Sequence, residues 1–187
     1  LWDKRHRKLL IARDRLGIKQ IHYYEDGQRI VFGSEIKAIL ALDGVNREID
    51  YQALSDYLSL QYIPAPRSIF RDIRKLPPAH YLRITEEGLQ QEPYWELHYA
   101  ERVKGQEAID AIDRELRRAV GMQLISDVPL GAYLSGGIDS SLLVAMMAQQ
   151  SDHPVETFSI IWDADSRAFD ERSYARFVAQ QYGTNHH

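Results

Sequence analysis

Hydrophobic residues recur along the chain with two rhythms, and the change of rhythm divides it. In the first part they come in short β-type runs. Leu9 to Ala12 and Ile21 to Tyr24 read as strands. Asp26-Gly27 is a hairpin turn, and Ile30 to Phe32 is the returning strand. Ser34 is placed to cap a short helix over 35–42. Asp50 is a second N-cap, opening a helix through Tyr51, Leu54, Tyr57 and Leu58.

Residues 61–97 break the pattern with Pro64, Pro66, Pro77 and Pro78. They predict an extended, turn-rich connector between two domains, with a strand at Tyr81 to Ile84 before the Glu87-Gly88 turn. Residues 98–105 are polar and read as a loop.

From Gln106 the period becomes helical. Ile109, Ile112, Leu116 and Val120 share one face, with charged residues between them. Leu130 to Leu134 reads as a strand, and Ser140 to Gln150 as a helix well buried near its start. Val155 to Ile161 is a second buried strand, rich in β-branched and aromatic residues. A helix over 171–182 ends on Gly183. Strand, helix, strand, helix implies parallel strands joined by crossovers.

Composition narrows the function classes. With 44% hydrophobic and 27% charged residues, the chain has the balance of a soluble globular protein. A net charge of −4 gives no general nucleic-acid footprint. The basic run "DKRHRKLL" abuts a strand and reads as a solvated turn. No apolar run reaches the ~20 residues of a membrane helix. The absence of cysteine excludes disulfides, thiolate metal sites and a cysteine nucleophile, and fits a reducing cytoplasm. The first residues, "LWD", carry neither an initiator methionine nor a signal peptide, which predicts a piece of something longer.

The candidate chemistry lies in "LSGGIDSS", residues 134–141, between an apolar strand and an apolar helix. Such turns at the carboxyl end of a parallel sheet are where open α/β folds bind ligands. Glycines let the backbone approach a ligand closely. The helix start offers free amides and roughly +0.5 of an elementary charge, which suits phosphate. Ser135, Ser140 and Ser141 add hydroxyl donors. Asp139 would repel phosphate unless a cation such as Mg²⁺ bridges the two. No lysine follows the glycines, so this is not the G-x-x-x-x-G-K-[ST] loop. The G-x-S-x-G nucleophile elbow is also absent.

Ser-Gly-Gly-x-Asp-Ser resembles the pyrophosphate-binding PP-loop of adenylating ATP pyrophosphatases. "MQLISDVPLGAYLSGGIDSSLLVAMMA" is similar to the start of the synthetase domain of glutamine-dependent asparagine synthetases. "LWDKRHRKLLIARDRLGIKQIHYY" and "FGSEIKAIL" resemble the last third of that family's class II glutaminase domain. "YLSLQYIPAPRSIFRDIRKLPPAHYL" resembles its interdomain connector, and "TFSIIWDADSRAFDERSYARFVAQQYGTNHH" the next strand and helix of the synthetase domain. The resemblance implies a mixed fold class, α/β and α+β. It begins with the C-terminal end of an N-terminal-nucleophile-type αββα glutaminase sandwich over 1–60. A connector follows over 61–97. The start of a doubly wound parallel-sheet PP-loop domain occupies 98–187.

The implied activity is ATP-dependent asparagine synthesis from aspartate and glutamine-derived ammonia, by way of an aspartyl-adenylate. Ser135, Gly136, Gly137, Asp139, Ser140 and Ser141 would hold the pyrophosphate portion of ATP, with Asp139 sharing Mg²⁺. Tyr133 and Ile160 would contact the adenine. Aspartate, glutamine and ATP are the implied partners, with room for a homodimer of the full-length protein and none for nucleic acid or membrane. Two departures stand out: Gln20 where the family has proline, and Ile161 where glycine is common. By the resemblance Glu35 follows all the glutamine-site motifs, so a structural or domain-interface role is expected. His186-His187 is expected as native strand, not as a tag or a metal site. Two other readings stay open: a relative closing an amide within one substrate, as β-lactam synthetases do, and a stand-alone nucleotide-binding module.

Overall fold

The computed structural model describes residues 1–99, 103–160 and 171–187. Two compact units divide the chain, Leu1–Tyr99 and Ala100–His187.

The first unit holds two antiparallel sheets. One contains β1 (Trp2–Asp3), β2 (Lys8–Ala12), β6 (His80–Thr85) and β7 (Gly88–Pro93), in the order β1-β2-β6-β7. The other contains β3 (His22–Glu25), β4 (Ile30–Gly33) and β5 (Ile73–Lys75), in the order β4-β3-β5. Alternation sends Tyr23 and Tyr24 to opposite faces. Tyr23 packs with Ile11, Leu76 and Leu82, which joins the two sheets. Tyr24 packs with Ile73, Val45 and Ile39 of α1 (Ile36–Leu40), which covers the second sheet's outer face. The unit is therefore layered sheet, sheet, helix. The basic run is the solvated turn expected: the amides of Arg5 and His6 donate to Asp3 Oδ1 across the β1–β2 hairpin.

The proline-rich segment 61–97 is built into this unit. β5 pairs with β3, and β6 with β2, so the break in contacts falls after Tyr99. Arg13 fixes the seam. Its guanidinium donates to the carbonyls of Lys19 (3.0 Å), Leu76 (2.6 Å) and Gly17 (2.6 Å). The Tyr94 hydroxyl donates back to the Arg13 carbonyl at 2.6 Å. Asp14 accepts the amides of Leu16, Ile18 and Lys19, which close the "RDRLGIK" loop and hold its carboxyl below the usual range.

Asp50 caps α2 (Tyr51–Leu60) as expected, accepting from the amides of Gln52 (2.9 Å) and Ala53 (3.2 Å). Ser34 does not cap α1. Glu35 takes the N-cap position with extended backbone and no side-chain cap bond. The Ser34 carbonyl instead faces His22 Nδ1 at 3.3 Å.

The second unit is a parallel sheet in the order β10-β9-β8, built from β8 (Gly131–Tyr133), β9 (Glu156–Phe158) and β10 (Asn185–His186). The strand at Asn185–His186 agrees with the native-strand reading of the terminal histidines. The helices are α3 (Gly105–Gln123), α4 (Ile138–Gln150) and α5 (Arg172–Tyr182). Val120 of α3 packs with Met146 and Met147 of α4 and with Val155. Leu134 packs with Val144 of α4 and Ala175 and Ala179 of α5. α5 ends on Gly183 in the left-handed region, as its position predicts.

Two burial expectations are corrected. α4 is buried in its middle, at Val144 to Met147, while Ile138 at its start is 87% exposed. β8 and β9 bury one face only: Leu134 and Thr157 are buried, and Tyr133 and Phe158 are exposed. Ile161, the expected end of the second strand, lies outside the described residues.

Candidate functional site

The six residues singled out from the sequence come together where β8 ends. The Leu134 amide donates to the Phe158 carbonyl at 2.8 Å, the last ladder bond before the chain leaves the sheet. Ser135, Gly136 and Gly137 make the turn, and α4 starts at Ile138. The helix thus begins two residues earlier than expected, so Asp139 and Ser140 belong to its first turn. Gly137 takes the N-cap position with φ −68° and ψ 163°.

Gly136 has φ +81°, and a Cβ there would lie 2.4 Å from Tyr174 Cβ and 2.6 Å from the Ala175 amide nitrogen. The first turn of α5 closes against it. The glycine is needed twice over, for the turn and for the approach of α5.

Two of the serines hold the turn. Ser135 Oγ and Ser140 Oγ are 3.0 Å apart. The Ser135 amide faces Ser140 Oγ at 3.3 Å, and the Gly137 amide faces Ser135 Oγ at 3.3 Å. No side chain caps α4, so its first-turn amides lack intrahelical acceptors and remain open. Ser141 Oγ is buried without a hydrogen-bond partner, the only such side-chain atom among the described residues. A buried hydroxyl left unpaired costs roughly 1–3 kcal/mol. An anion's oxygen seated over the turn is a group that could satisfy it.

Asp139 is exposed, and a carboxylate in a first turn is also favoured by the helix dipole. Among the described residues no cluster of three His, Cys, Asp or Glu could hold a metal alone. A single carboxylate such as Asp139 could hold a cation only together with other ligands. Tyr133 is 75% exposed and stands across from Phe158 in the ladder, and Ile160 is 70% exposed two residues on. Both lie near the carboxyl edge of the sheet.

The sequence reading did not single out Thr157, Ser159 or Thr184, and took His186 only as a native strand residue. Ser159 Oγ donates to the Leu134 carbonyl, one residue before the turn. For Thr157 and Ser159 the signal was polar side chains two apart in an otherwise apolar strand, "TFS". Glu35, by contrast, stands at the N-cap position of α1 and makes a surface ion pair with Lys37 at 2.7 Å. A polar hollow of about 340 Å³ lies elsewhere, beside Arg5, His6, Arg83, Glu86 and Glu87. The candidate site itself is made by backbone and hydroxyls.

Residues 1–95 match the glutamine amidotransferase domain family, and residues 111–187 match the asparagine synthase family. The chain is 34% identical over 201 residues to asparagine synthetase (glutamine-hydrolyzing) 3 of Bacillus subtilis, covering 100% of this chain and 33% of that protein. This chain belongs to the glutamine-hydrolysing asparagine synthetase family. Asparagine synthetase (glutamine-hydrolyzing) 1 of the same organism is 31% identical over 188 residues, with 98% of this chain and 29% of that protein covered. Amidase chyE of Penicillium rubens is 32% identical over 206 residues, with 100% and 30% covered. The chain spans about a third of the length of these relatives of the asparagine synthetase family. It crosses the junction between the two family matches, and the contact boundary after Tyr99 falls between them.

Proposed function

We propose that the whole protein is a carbon–nitrogen ligase that makes asparagine from aspartate, ATP and ammonia released from glutamine. The observation that carries this is the Ser135–Ser141 turn at the carboxyl end of β8, with open amides and a buried unpaired hydroxyl. Residues 1–99 would belong to the glutaminase side, the end of an αββα sandwich. Residues 100–187 would open a doubly wound PP-loop domain whose remaining strands lie elsewhere in the protein.

In this reading an aspartate side-chain oxygen attacks the α-phosphorus of ATP, and pyrophosphate leaves. Ammonia then attacks the acyl carbon, AMP departs with the bridging oxygen, and a proton is lost. The amides of the α4 first turn and the hydroxyls of Ser135, Ser140 and Ser141 hold the pyrophosphate as its charge grows. Asp139 would share Mg²⁺ with the phosphates, and the ion would neutralise charge on the leaving group. Tyr133 and Ile160 would flank the adenine, mainly through backbone.

The test uses the full-length protein in an aspartate-dependent ATP–pyrophosphate exchange assay. Exchange is expected with wild type. Asp139→Asn keeps the shape and loses a charge, so it is expected to fold normally and to exchange at least about 100-fold more slowly. An Asp139→Asn rate near wild type would leave Asp139 as a helix-terminus residue only.

A further inference from the structure

The carboxyl edge of the parallel sheet carries a row of polar side chains on the face covered by α5. Thr157 Oγ1 lies 2.9 Å from Thr184 Oγ1 and 3.1 Å from His186 Nδ1. His186 Nε2 lies 3.5 Å from Ser159 Oγ. Ser159 Oγ donates to the Leu134 carbonyl.

Proton counting orients the row. Ser159 gives its one hydroxyl proton to Leu134 O, so toward His186 it can only accept. The ring tautomer that fits both neighbours carries its proton on Nε2 and leaves Nδ1 as an acceptor. Thr157 Oγ1 lies 3.5 Å from the Asn185 carbonyl as well, so Nδ1 at 3.1 Å is its nearer acceptor, and it accepts from Thr184. Every link points the same way, and the row ends on the carbonyl that precedes Ser135. Links polarised in one direction strengthen one another, most where water is excluded, and Thr157 is fully buried.

We propose that Ser159 and His186 are positioning residues for the phosphate turn, with Thr157 and Thr184 behind them. The inference rests on the nucleotide reading above. Gly136 lets α5 close on one side of the turn, and the Ser159 hydroxyl pins the strand end on the other. Neither residue touches the nucleotide in this scheme. Their effect is on where the 135–137 turn, and with it the open amides of the α4 first turn, sits when ATP arrives.

The test compares full-length wild type, Ser159→Ala and Ser159→Thr by two measurements. Amide hydrogen exchange at 135–137 without nucleotide reads the brace itself. Pyrophosphate exchange against ATP concentration reads its consequence. Ser159→Ala is expected to speed amide exchange there about tenfold and to raise KM for ATP about tenfold, with glutamine hydrolysis unchanged. Ser159→Thr keeps the hydroxyl and is expected to recover most of both. If Ser159→Ala does not fold, His186→Gln, which can donate and accept, is set against His186→Leu, which can do neither. Unchanged turn exchange in Ser159→Ala, or equal impairment in Ser159→Thr, overturns the inference. A wild type that shows no ATP-dependent exchange overturns the nucleotide reading and this role with it, whatever the hydrogen-exchange result.

Discussion

Gly136 and Gly137 are adjacent, and only one of them is constrained by its surroundings. At Gly136 an added methyl would meet the backbone of α5 at 2.6 Å while forcing φ +81° on an L-residue. At Gly137 the nearest atom to a Cβ is Ser135 Oγ at 3.4 Å, ordinary contact. Gly136→Ala is expected to destabilise by about 3 kcal/mol, combining left-handed strain with overpacking. Gly137→Ala should cost under about 1 kcal/mol. Urea unfolding of the two variants decides it, and equal losses would contradict the placement of α5 against Gly136. His22 offers a test by pH. Burial, then Lys75 and Arg13 nearby, hold its pKa below 6.5, against hydrogen bonding to Ser34. The unfolded chain therefore binds the proton more readily than the folded one. Stability is full above the unfolded value of 6.5 and is lost as pH falls from there through the lowered folded value. The lowered carboxyls Asp3, Asp14, Asp26 and Glu156 act at more acidic pH, below their ordinary range. His22→Gln should flatten the fall in urea midpoint between about pH 7 and pH 5. A variant with the wild-type slope would show that His22 titrates alike in both states.

At the scale of elements, caps decide which helices could be read. Asp50 accepts two amides, and Asp50→Ala is expected to cost about 1 kcal/mol, measured as a lower urea midpoint for the first unit. Ser34→Ala should cost much less by the same measurement, because Ser34 caps nothing. Both residues carry the same sequence signal, a polar residue before an apolar helix. They differ because the chain is still leaving β4 at Ser34, and Glu35 is the residue that turns. The start of α4 was misplaced for a related reason. Ser140 is a preferred cap type, but Gly137 can supply the extended N-cap backbone, and Asp139 is stabilised inside a first turn. Hairpins were legible because Asp26-Gly27 fixes a turn locally, and the His22↔Gly33 register follows from it. Burial was not legible. Ile109 and Ile112 have perfect helical spacing and are still mostly exposed, because periodicity names a face and not what covers it. Likewise, the prolines of 61–97 marked irregular backbone correctly. They could not show that β5 and β6 pair with strands some fifty and seventy residues earlier, such as Tyr23↔Arg74 and Ile11↔Leu82.

At the scale of the whole molecule, the residues present bound the chemistry that this chain can perform alone. A class II glutaminase, as the family resemblance implies, attacks the glutamine amide with a cysteine thiolate. The chain has no cysteine. A serine or threonine could substitute only beside a base that takes its proton. In Leu1–Tyr99 the described contacts of His6, His22 and His80 go to the Asp3 carboxylate and to the carbonyls of Ser34 and Pro78, not to a hydroxyl. In the second unit His186 does meet hydroxyls. There Thr157 Oγ1 lies 3.1 Å from Nδ1 but is fully buried, out of reach of a substrate, and the Ser159 proton points to the Leu134 carbonyl and away from the ring. None of these described contacts thus sets a hydroxyl open to substrate beside a base that takes its proton. Purified residues 1–187 are expected to release glutamate from glutamine no faster than a heat-denatured sample. The measurement is glutamate formed over hours at several protein concentrations. Release proportional to folded protein, and persisting after a second purification step, would mean that a nucleophile other than cysteine operates in this chain. The glutaminase assignment of its first unit would then need a different mechanism.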